Sequence, residues 1–271
     1  MKPYIQIQFQ NISTEQSELL VAELSNIGFE GFEEEENSLK AFIAVNAFDE
    51  LAVNEISELY DIPFTKLIIE ETNWNAVWES NFQPVIVDDF VAIRADFHEP
   101  IEGVKHEIII TPKMSFGTGH HATTMMMIRQ MREIDFANKT VFDFGTGTGI
   151  LAILAEKLGA KNIIAVDNDE WSIANAEENI NRNNCKHIQL MKADSVVMGE
   201  QYDIILANIN KNVLVDNLPA LAGQFSASGA LLLSGLLAAD EADMLTVTEK
   251  FSLILRGKST QDSWICLKFT H

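Results

Sequence analysis

Three glycines at alternate positions, with an acid in front of them, are the most chemically informative feature of this sequence. The segment reads Val141-Phe-Asp-Phe-Gly-Thr-Gly-Thr-Gly-Ile150. An apolar, strand-like stretch ends at Asp143. Gly145, Gly147 and Gly149 follow, and Leu151, Leu154 and Leu158 then recur at helical spacing. A glycine loop between strand and helix lets a ligand press against the backbone, and the helix start behind it offers unpaired N–H groups. The bland alternative is a tight strand-to-helix turn that binds nothing. Two further acids weigh against it. Asp167 ends the next apolar run, Ile163-Ile-Ala-Val-Asp167, where a carboxylate can accept from both hydroxyls of a ribose. Asp194, in Lys192-Ala-Asp-Ser195, lies just past the run after that, where an adenine amino group needs an acceptor.

The spacing separates two cofactor classes. Dinucleotide sites use G-x-G-x-x-G, with a pyrophosphate over the loop. Here the third position after Gly147 is Ile150, so the glycines follow G-x-G-x-G instead. Asp143 would repel a pyrophosphate, yet it suits the ammonium group of an amino acid. An acid followed by G-x-G-x-G in this way resembles the class I S-adenosylmethionine (SAM) methyltransferases.

Two other segments could complete such a site. Upstream, Ser115-Phe-Gly-Thr-Gly-His-His-Ala-Thr-Thr124 reads as a close-packed loop whose Phe116 and Thr118 are placed to cover a cofactor. Thr123 and Thr124 open a helix whose Met125, Met126, Met127 and Met131 are core filler. His120 and His121 are adjacent, but no Asp, Glu or Cys stands at ligand spacing, so no metal is expected. His121 is a candidate proton acceptor; no other residue stands out as a base. Downstream, the strand-like run Tyr202–Ala207 ends in Asn208-Ile-Asn-Lys211. The side-chain carbonyl of Asn208 and the backbone carbonyl of Ile209 can accept from an amine and hold it in line with a sulfonium. The alternative is that Asn208 caps the following helix.

The elements that must carry these residues fall into two groups. Before residue 70, Ile5, Ile7 and Phe9 alternate with glutamines as in a half-buried strand, and Ser13 with Gln16 forms a capping-box pattern ahead of Leu20, Leu24 and Ile27. Phe29–Glu33 and Leu39–Val45 read as strands joined at Asn37 and Ser38. Asp49 caps a second helix, and Phe64–Ile69 is a further strand. The order β-α-β-β-α-β is that of a ferredoxin-like α+β domain. Residues 71–100 form an aromatic-rich joint with Trp74, Trp78, Phe82 and Pro84 but no single period. From residue 101 to 271 strands and helices alternate. Strands are expected at Thr140–Phe144, Asn162–Asp167, Ile188–Met191, Tyr202–Ala207, Ala230–Ser234, Phe251–Leu255 and Trp264–Phe269. That pattern predicts an α/β doubly wound, Rossmann-like parallel sheet, with the last two strands as an antiparallel hairpin at its edge.

Composition narrows the setting. The 271 residues carry 40 acidic and 19 basic side chains, a formal charge of -21. Such a surface repels phosphate backbones, so nucleic acid is an unfavourable primary partner; it would attract a basic protein, and the alternative, favoured on composition alone, is that the charge only keeps the protein soluble. Two cysteines, Cys185 and Cys266, suit a reducing compartment. The most apolar run, Ala230–Ala239, is broken by Ser234 and Gly235 and is shorter than the ~20 residues a membrane span needs. A cytoplasmic chain is expected.

Taken together, the motifs resemble the PrmA-type ribosomal protein methyltransferases, which modify the large-subunit protein numbered eleven. The matching segments are Asn73-Trp-Asn with Trp78 and Phe82-x-Pro84, Phe116-Gly-Thr-Gly-x-His121-x-Thr-Thr124, Asp143-Phe-Gly-x-Gly-x-Gly-Ile-Leu-Ala-Ile153, Val166-Asp-x-Asp169, Ala207-Asn-Ile209 and Leu233-Ser-Gly-Leu236. Thr146 stands where Cys is common in that family. The resemblance implies a class I methyltransferase domain that binds SAM through Thr124, Gly145, Asp167 and Asn208. It implies an N-terminal domain that grips the basic ribosomal protein, and methylation of lysine ε-amines and the N-terminal α-amine by a monomer. The competing readings are a methyltransferase of another amine or amide, such as a glutamine side chain or a nucleobase, and a non-catalytic module on the same fold. Ile209-Asn-Lys211 after Asn208 disfavours planar substrates, which call for an aromatic there.

Overall fold

The computed structural model describes residues 3–69, 82–113, 118–196 and 201–271. Trp74, Trp78 and Phe116 lie outside them. The chain divides into two compact units, residues 1–81 and 82–271.

In the first unit, β1 (Tyr4–Gln10), α1 (Thr14–Asn26), β2 (Gly31–Glu35), β3 (Ser38–Ala44), α2 (Glu50–Tyr60) and β4 (Phe64–Ile69) form an antiparallel sheet of order β2-β3-β1-β4 with two helices. Local chemistry sets the boundaries. The Ser13 hydroxyl accepts from Gln16 N–H while the Gln16 side chain accepts from Ser13 N–H, closing the capping box; Asp49 caps α2 through Leu51 and Ala52 N–H. Ile5, Ile7 and Phe9 point to the helices and are buried with Leu20, Leu24 and Val53.

The second unit begins with β5 (Val85–Val87), β6 (Val91–Ala95) and β7 (His106–Ile110), a small sheet in which β6 and β7 run parallel. The joint expected over 71–100 thus holds two strands within its described part. Their signal in the sequence is masked because β6 is buried on both faces and shows no alternation. The guanidinium of Arg94 lies against the Glu107 carboxylate (Nε–Oε1 2.8 Å, Nη2–Oε2 3.0 Å), tying β6 to β7.

The main sheet is built from β8 (Thr140–Phe144), β9 (Asn162–Asp167), β10 (Ile188–Lys192), β11 (Tyr202–Asn208), β12 (Phe225–Leu237), β13 (Ile254–Gln261) and β14 (Trp264–Thr270), in the order β10-β9-β8-β11-β12-β14-β13. All neighbours are parallel except β14, which is antiparallel to both β12 and β13. The hairpin at the edge is as expected, but its first strand spans Ile254–Gln261 rather than Phe251–Leu255. Residues 251–253 turn out of the preceding helix, with Ser252 at φ 59°. Between the strands run α3 (Ala122–Met131), α4 (Ile150–Lys157), α5 (Glu170–Arg182), α6 (Lys211–Gly223) and α7 (Glu241–Glu249). Among the described residues no helix is long and apolar enough to cross a membrane.

Because side chains alternate along a strand, β8 feeds both faces of the sheet. Val141 packs into the layer that includes Met127, Leu154 and Ile108, whereas Phe142 and Phe144 pack with Leu218, Leu231 and Phe269. The chain goes outward through β9 and β10, then returns to β11 on the other side of β8. That reversal opens a crevice beyond the carboxyl ends of β8 and β11, the place where open α/β sheets bind ligands.

A stripe of asparagines on α5 anchors this crevice. Thr111 N–H donates to Asn179 Oδ1 (2.8 Å), and Asn179 Nδ2 donates to the carbonyl of Thr148 in the glycine loop (2.9 Å). One turn on, Asn183 exchanges hydrogen bonds with both backbone groups of Ile109 (3.1 and 2.7 Å). Asn179 is fully buried, and an unpaired buried polar group costs about 1–3 kcal/mol. Replacing Asn179 by Ala should therefore destabilise the protein by roughly 2–4 kcal/mol in urea denaturation; a change below about 0.5 kcal/mol, typical of a surface substitution, would contradict this bridge.

Candidate active site

The glycine loop turns because its residues take conformations a side chain resists. Gly145, Gly147 and Gly149 sit at φ 76°, 56° and 82°. Gly145 and Thr146 N–H both donate to the Val166 carbonyl at 2.9 Å, which folds the loop over the end of β9. A methyl on Gly145 would come within 2.2 Å of Ile209 Cγ2, so glycine is required there by space as well as by angle. Gly149 serves as the N-cap of α4 and faces Ala176 rather than the crevice.

The crevice is a cavity of about 540 Å³, within the range of small-molecule sites. From the β8–β9 side it is lined by Gly145, Thr146, Gly147, Asp167 and Ser172; from the β11–β12 side by Asn208, Ile209, Asn210 and Gly235. His121, Thr124 and Trp264 also lie in the wall. Of the residues singled out from the sequence, Thr124, Gly145, Gly147, Asp167, Asn208 and Ile209 meet here. Asp194 does not line the cavity and is exposed beyond β10. Thr118 is also outside the lining and bonds His120 Nδ1 (3.1 Å).

Asp167 presents its carboxylate in a fixed plane. Oδ2 accepts from Gly147 N–H (2.9 Å) and Oδ1 from Asp169 N–H (3.0 Å). The cap of α5 is Asp169, through Ser172 N–H, so Asp167 is not spent on the helix. The same division of labour holds after β11. Asn210 caps α6 through Val213 N–H (3.1 Å), which removes the capping explanation for Asn208. Instead Asn208 Nδ2 donates to Thr124 Oγ1 (3.3 Å). With the amide nitrogen so engaged, Oδ1 is the atom left to accept a hydrogen bond.

Asp143 has a different place from the one its sequence position suggests. It follows Val141 on the same face of β8, is 1% exposed, and does not line the cavity. The Thr146 hydroxyl donates to it at 2.6 Å, so it braces the loop from below. Burial pushes this carboxyl up to about 7, against the Thr146 hydroxyl and the Ala152 N–H, which favour the charged form; the Asp167 charge adds to the rise.

His121 also differs from expectation. Its Nδ1 accepts from Thr123 N–H (3.3 Å), capping α3, and lies 2.8 Å from Thr123 Oγ1. In the neutral ring the proton then sits on Nε2, so the nitrogen that could accept a proton is occupied by the cap. Its ring packs edge-on against Trp264, with centroids 4.7 Å apart. His120 is engaged by Thr118 and by the Gln83 carbonyl (2.9 Å). Sequence reasoning missed Ser172, Gly235 and Trp264 as wall residues. Nothing in the local sequence marks Ser172 or Trp264, and Gly235 falls in a segment that carries the family resemblance without a stated role in the wall.

A family model described as ribosomal protein L11 methyltransferase (PrmA) matches residues 5–271. The chain belongs to this family. Ribosomal protein L11 methyltransferase of Porphyromonas gingivalis is 38% identical over 261 residues, covering 93% of this chain and 90% of that one. The protein of the same name from Chlorobaculum tepidum is 38% identical over 275 residues, covering 97% and 94%. The crystal structure of ribosomal protein L11 methylase from Lactobacillus delbrueckii subsp. bulgaricus superposes with a TM-score of 0.65 at 29% identity, covering 70% of this chain and all of that one.

The raised Asp143 carboxyl predicts a pH effect. The unfolded carboxyl titrates near ~3.9, so the folded state holds the proton more tightly. The stability this gives is complete below about pH 4 and is lost as pH rises through about 7. Between about pH 5 and about pH 8 the ligand-free wild type should lose on the order of 2–3 kcal/mol relative to Asp143→Asn. Parallel pH profiles of the two proteins in thermal melting would contradict this.

Proposed function

We propose that this protein is a cytoplasmic, monomeric enzyme that transfers methyl groups from SAM to ribosomal protein L11, at lysine ε-amines and the N-terminal α-amine. The observation that carries the reading is the Thr124–Asn208 hydrogen bond. It turns an amide oxygen toward an amine-accepting role in the same cavity as a glycine loop and a fixed carboxylate. Membership of the family supports the substrate.

The residues present fit SAM. Gly145 and Gly147 line the cavity without side chains, and Asp167 keeps lone pairs beyond those used by the two N–H groups. Asp167 would hold the ribose hydroxyls, and the loop backbone and Thr124 the amino-acid portion. Asp143 acts on this site through Thr146. When bound, SAM supplies a methyl carbon made electrophilic by its sulfonium, and the protein supplies position and electrostatics.

The attacking amine must be neutral, although free lysine titrates near ~10.4. Placing it beside a positive charge and away from bulk water favours the neutral form. Asn208 Oδ1 and the Ile209 carbonyl hold the amine N–H groups, which leaves its lone pair free to attack. With His121 Nδ1 committed to the helix cap, the proton leaves to water before the amine is seated. The first unit, with its βαββαβ order, is read as a ferredoxin-like substrate-recognition domain over 1–70. Residues 82–100, expected in the linker, belong to the second unit, so the catalytic domain is read as 82–271.

The test is incubation with methyl-labelled SAM and ribosomal protein L11, followed by mass spectrometry. Label on L11 amines is expected, and no transfer overturns the proposal. Asn208→Ala should lower kcat/KM by about 100-fold through misplacement of the amine and leave SAM affinity within a few-fold. Asp167→Ala should weaken SAM binding about 10-fold or more by calorimetry, since charge-assisted hydrogen bonds are lost. Unchanged values would refute the respective role.

A further inference from the structure

Gly235 of Leu233-Ser-Gly-Leu236 lines the cavity, and the structure also puts it against the peptide that presents the proposed amine acceptors. In the pairing of β12 with β14, Leu233 faces Leu267 and Leu236 faces Ile265. Three steps along β12 thus match two along β14, so Ser234 and Gly235 form a β-bulge. Gly235 takes φ 80° there. A Cβ at this position would lie 2.2 Å from the Ile209 carbonyl oxygen, 2.7 Å from its carbon and 2.9 Å from its nitrogen. All three are backbone atoms, so no side-chain rotation relieves the clash. The bulge is itself held in place. The Ser234 hydroxyl donates to the Ile265 carbonyl at 2.8 Å in a fully buried setting, and the Ser234 carbonyl accepts from Ile209 N–H at 3.2 Å.

From this geometry we infer that Gly235 is a positioning residue for methyl transfer: the bulge glycine seats the Asn208–Ile209 peptide and thereby sets where the acceptor amine is held. This rests on the function proposed above. Ile209 is seated from two sides, with its side chain over Gly145 and its backbone against Gly235. The two contacts have different consequences. The Gly145 contact falls on the cofactor loop and ends in a side-chain methyl. The Gly235 contact falls on the backbone next to Asn208. Gly235 therefore governs turnover rather than cofactor binding.

The experiment compares wild type, Gly235→Ala and Ser234→Ala for SAM affinity by calorimetry, thermal melting, and kcat and KM for L11. Gly235→Ala should keep SAM affinity within about threefold and lower kcat by about 100-fold, the scale of an ångström-sized misplacement. Adding Ile209→Ala should not rescue it, because the clash is with backbone. A folded Gly235→Ala with kcat within threefold of wild type overturns the inference, as does a loss of SAM affinity as large as the loss of kcat. If Gly235→Ala does not fold, Ser234→Ala decides. It loosens the bulge without adding an atom against Ile209, and it should lower kcat with SAM affinity retained; unchanged kcat overturns the inference. Wild-type transfer to L11 is measured alongside. Its absence overturns the function and this inference with it, whereas wild-type transfer with an active Gly235→Ala overturns only the role of Gly235.

Discussion

The ends of β8 and β11 approach so closely that there is no room for one carbon between Gly145 and Ile209. Everything in the crevice depends on that contact. It follows from the reversal of strand order, which makes β8 and β11 neighbours although about sixty residues separate them. The glycine loop belongs to one strand and Asn208 and Ile209, the proposed amine acceptors, to the other. Bringing them together puts the proposed cofactor-binding and nucleophile-binding surfaces in one cavity. A larger residue at 145 would open the gap, and a methyl donor and its acceptor would no longer be held at reacting distance.

Hydrogen bonds spend some polar groups on structure so that others remain for chemistry. After β9 the cap is Asp169, which frees Asp167; after β11 the cap is Asn210, which frees Asn208. Asp143 is the opposite case. It looks like a ligand in the sequence, but alternation along β8 turns it beneath the loop, where the Thr146 hydroxyl satisfies it. A buried acid under a loop that faces a cationic ligand is unfavourable alone and favourable with the ligand in place. That arrangement links the stability of the loop to occupancy of the site. Asn179 reaches the same loop from α5, so the cradle is held from a strand and a helix.

Much of this was legible along the chain. The glycine spacing, Asp167 and the Ala-Asn-Ile segment are local signals, and the alternation in β1 and the capping box of α1 set the first unit nearly residue by residue. What escaped reading was nonlocal or masked. Strands β5 and β6 hid in a stretch without alternation because β6 is buried on both faces. Strand β13 hid for the opposite reason: its polar half, Arg256–Gln261, is an exposed edge that reads as loop. The buried asparagines of α5 recur every four residues, yet asparagine in a helix is ordinarily read as surface. Gly235 and Trp264 join the site only through the pairing of β12 with β14, which no local pattern encodes.

In the proposed function one cavity holds a sulfonium nucleoside on the β8–β9 side and an amine on the β11–β12 side. A crystal structure of the protein with S-adenosylhomocysteine tests this most directly. The ribose hydroxyls should lie on the Asp167 carboxylate, the amino-acid portion along Gly145–Gly147, and the sulfur should face Asn208. A ligand bound with its sulfur turned away from Asn208, or bound outside this cavity, would contradict it.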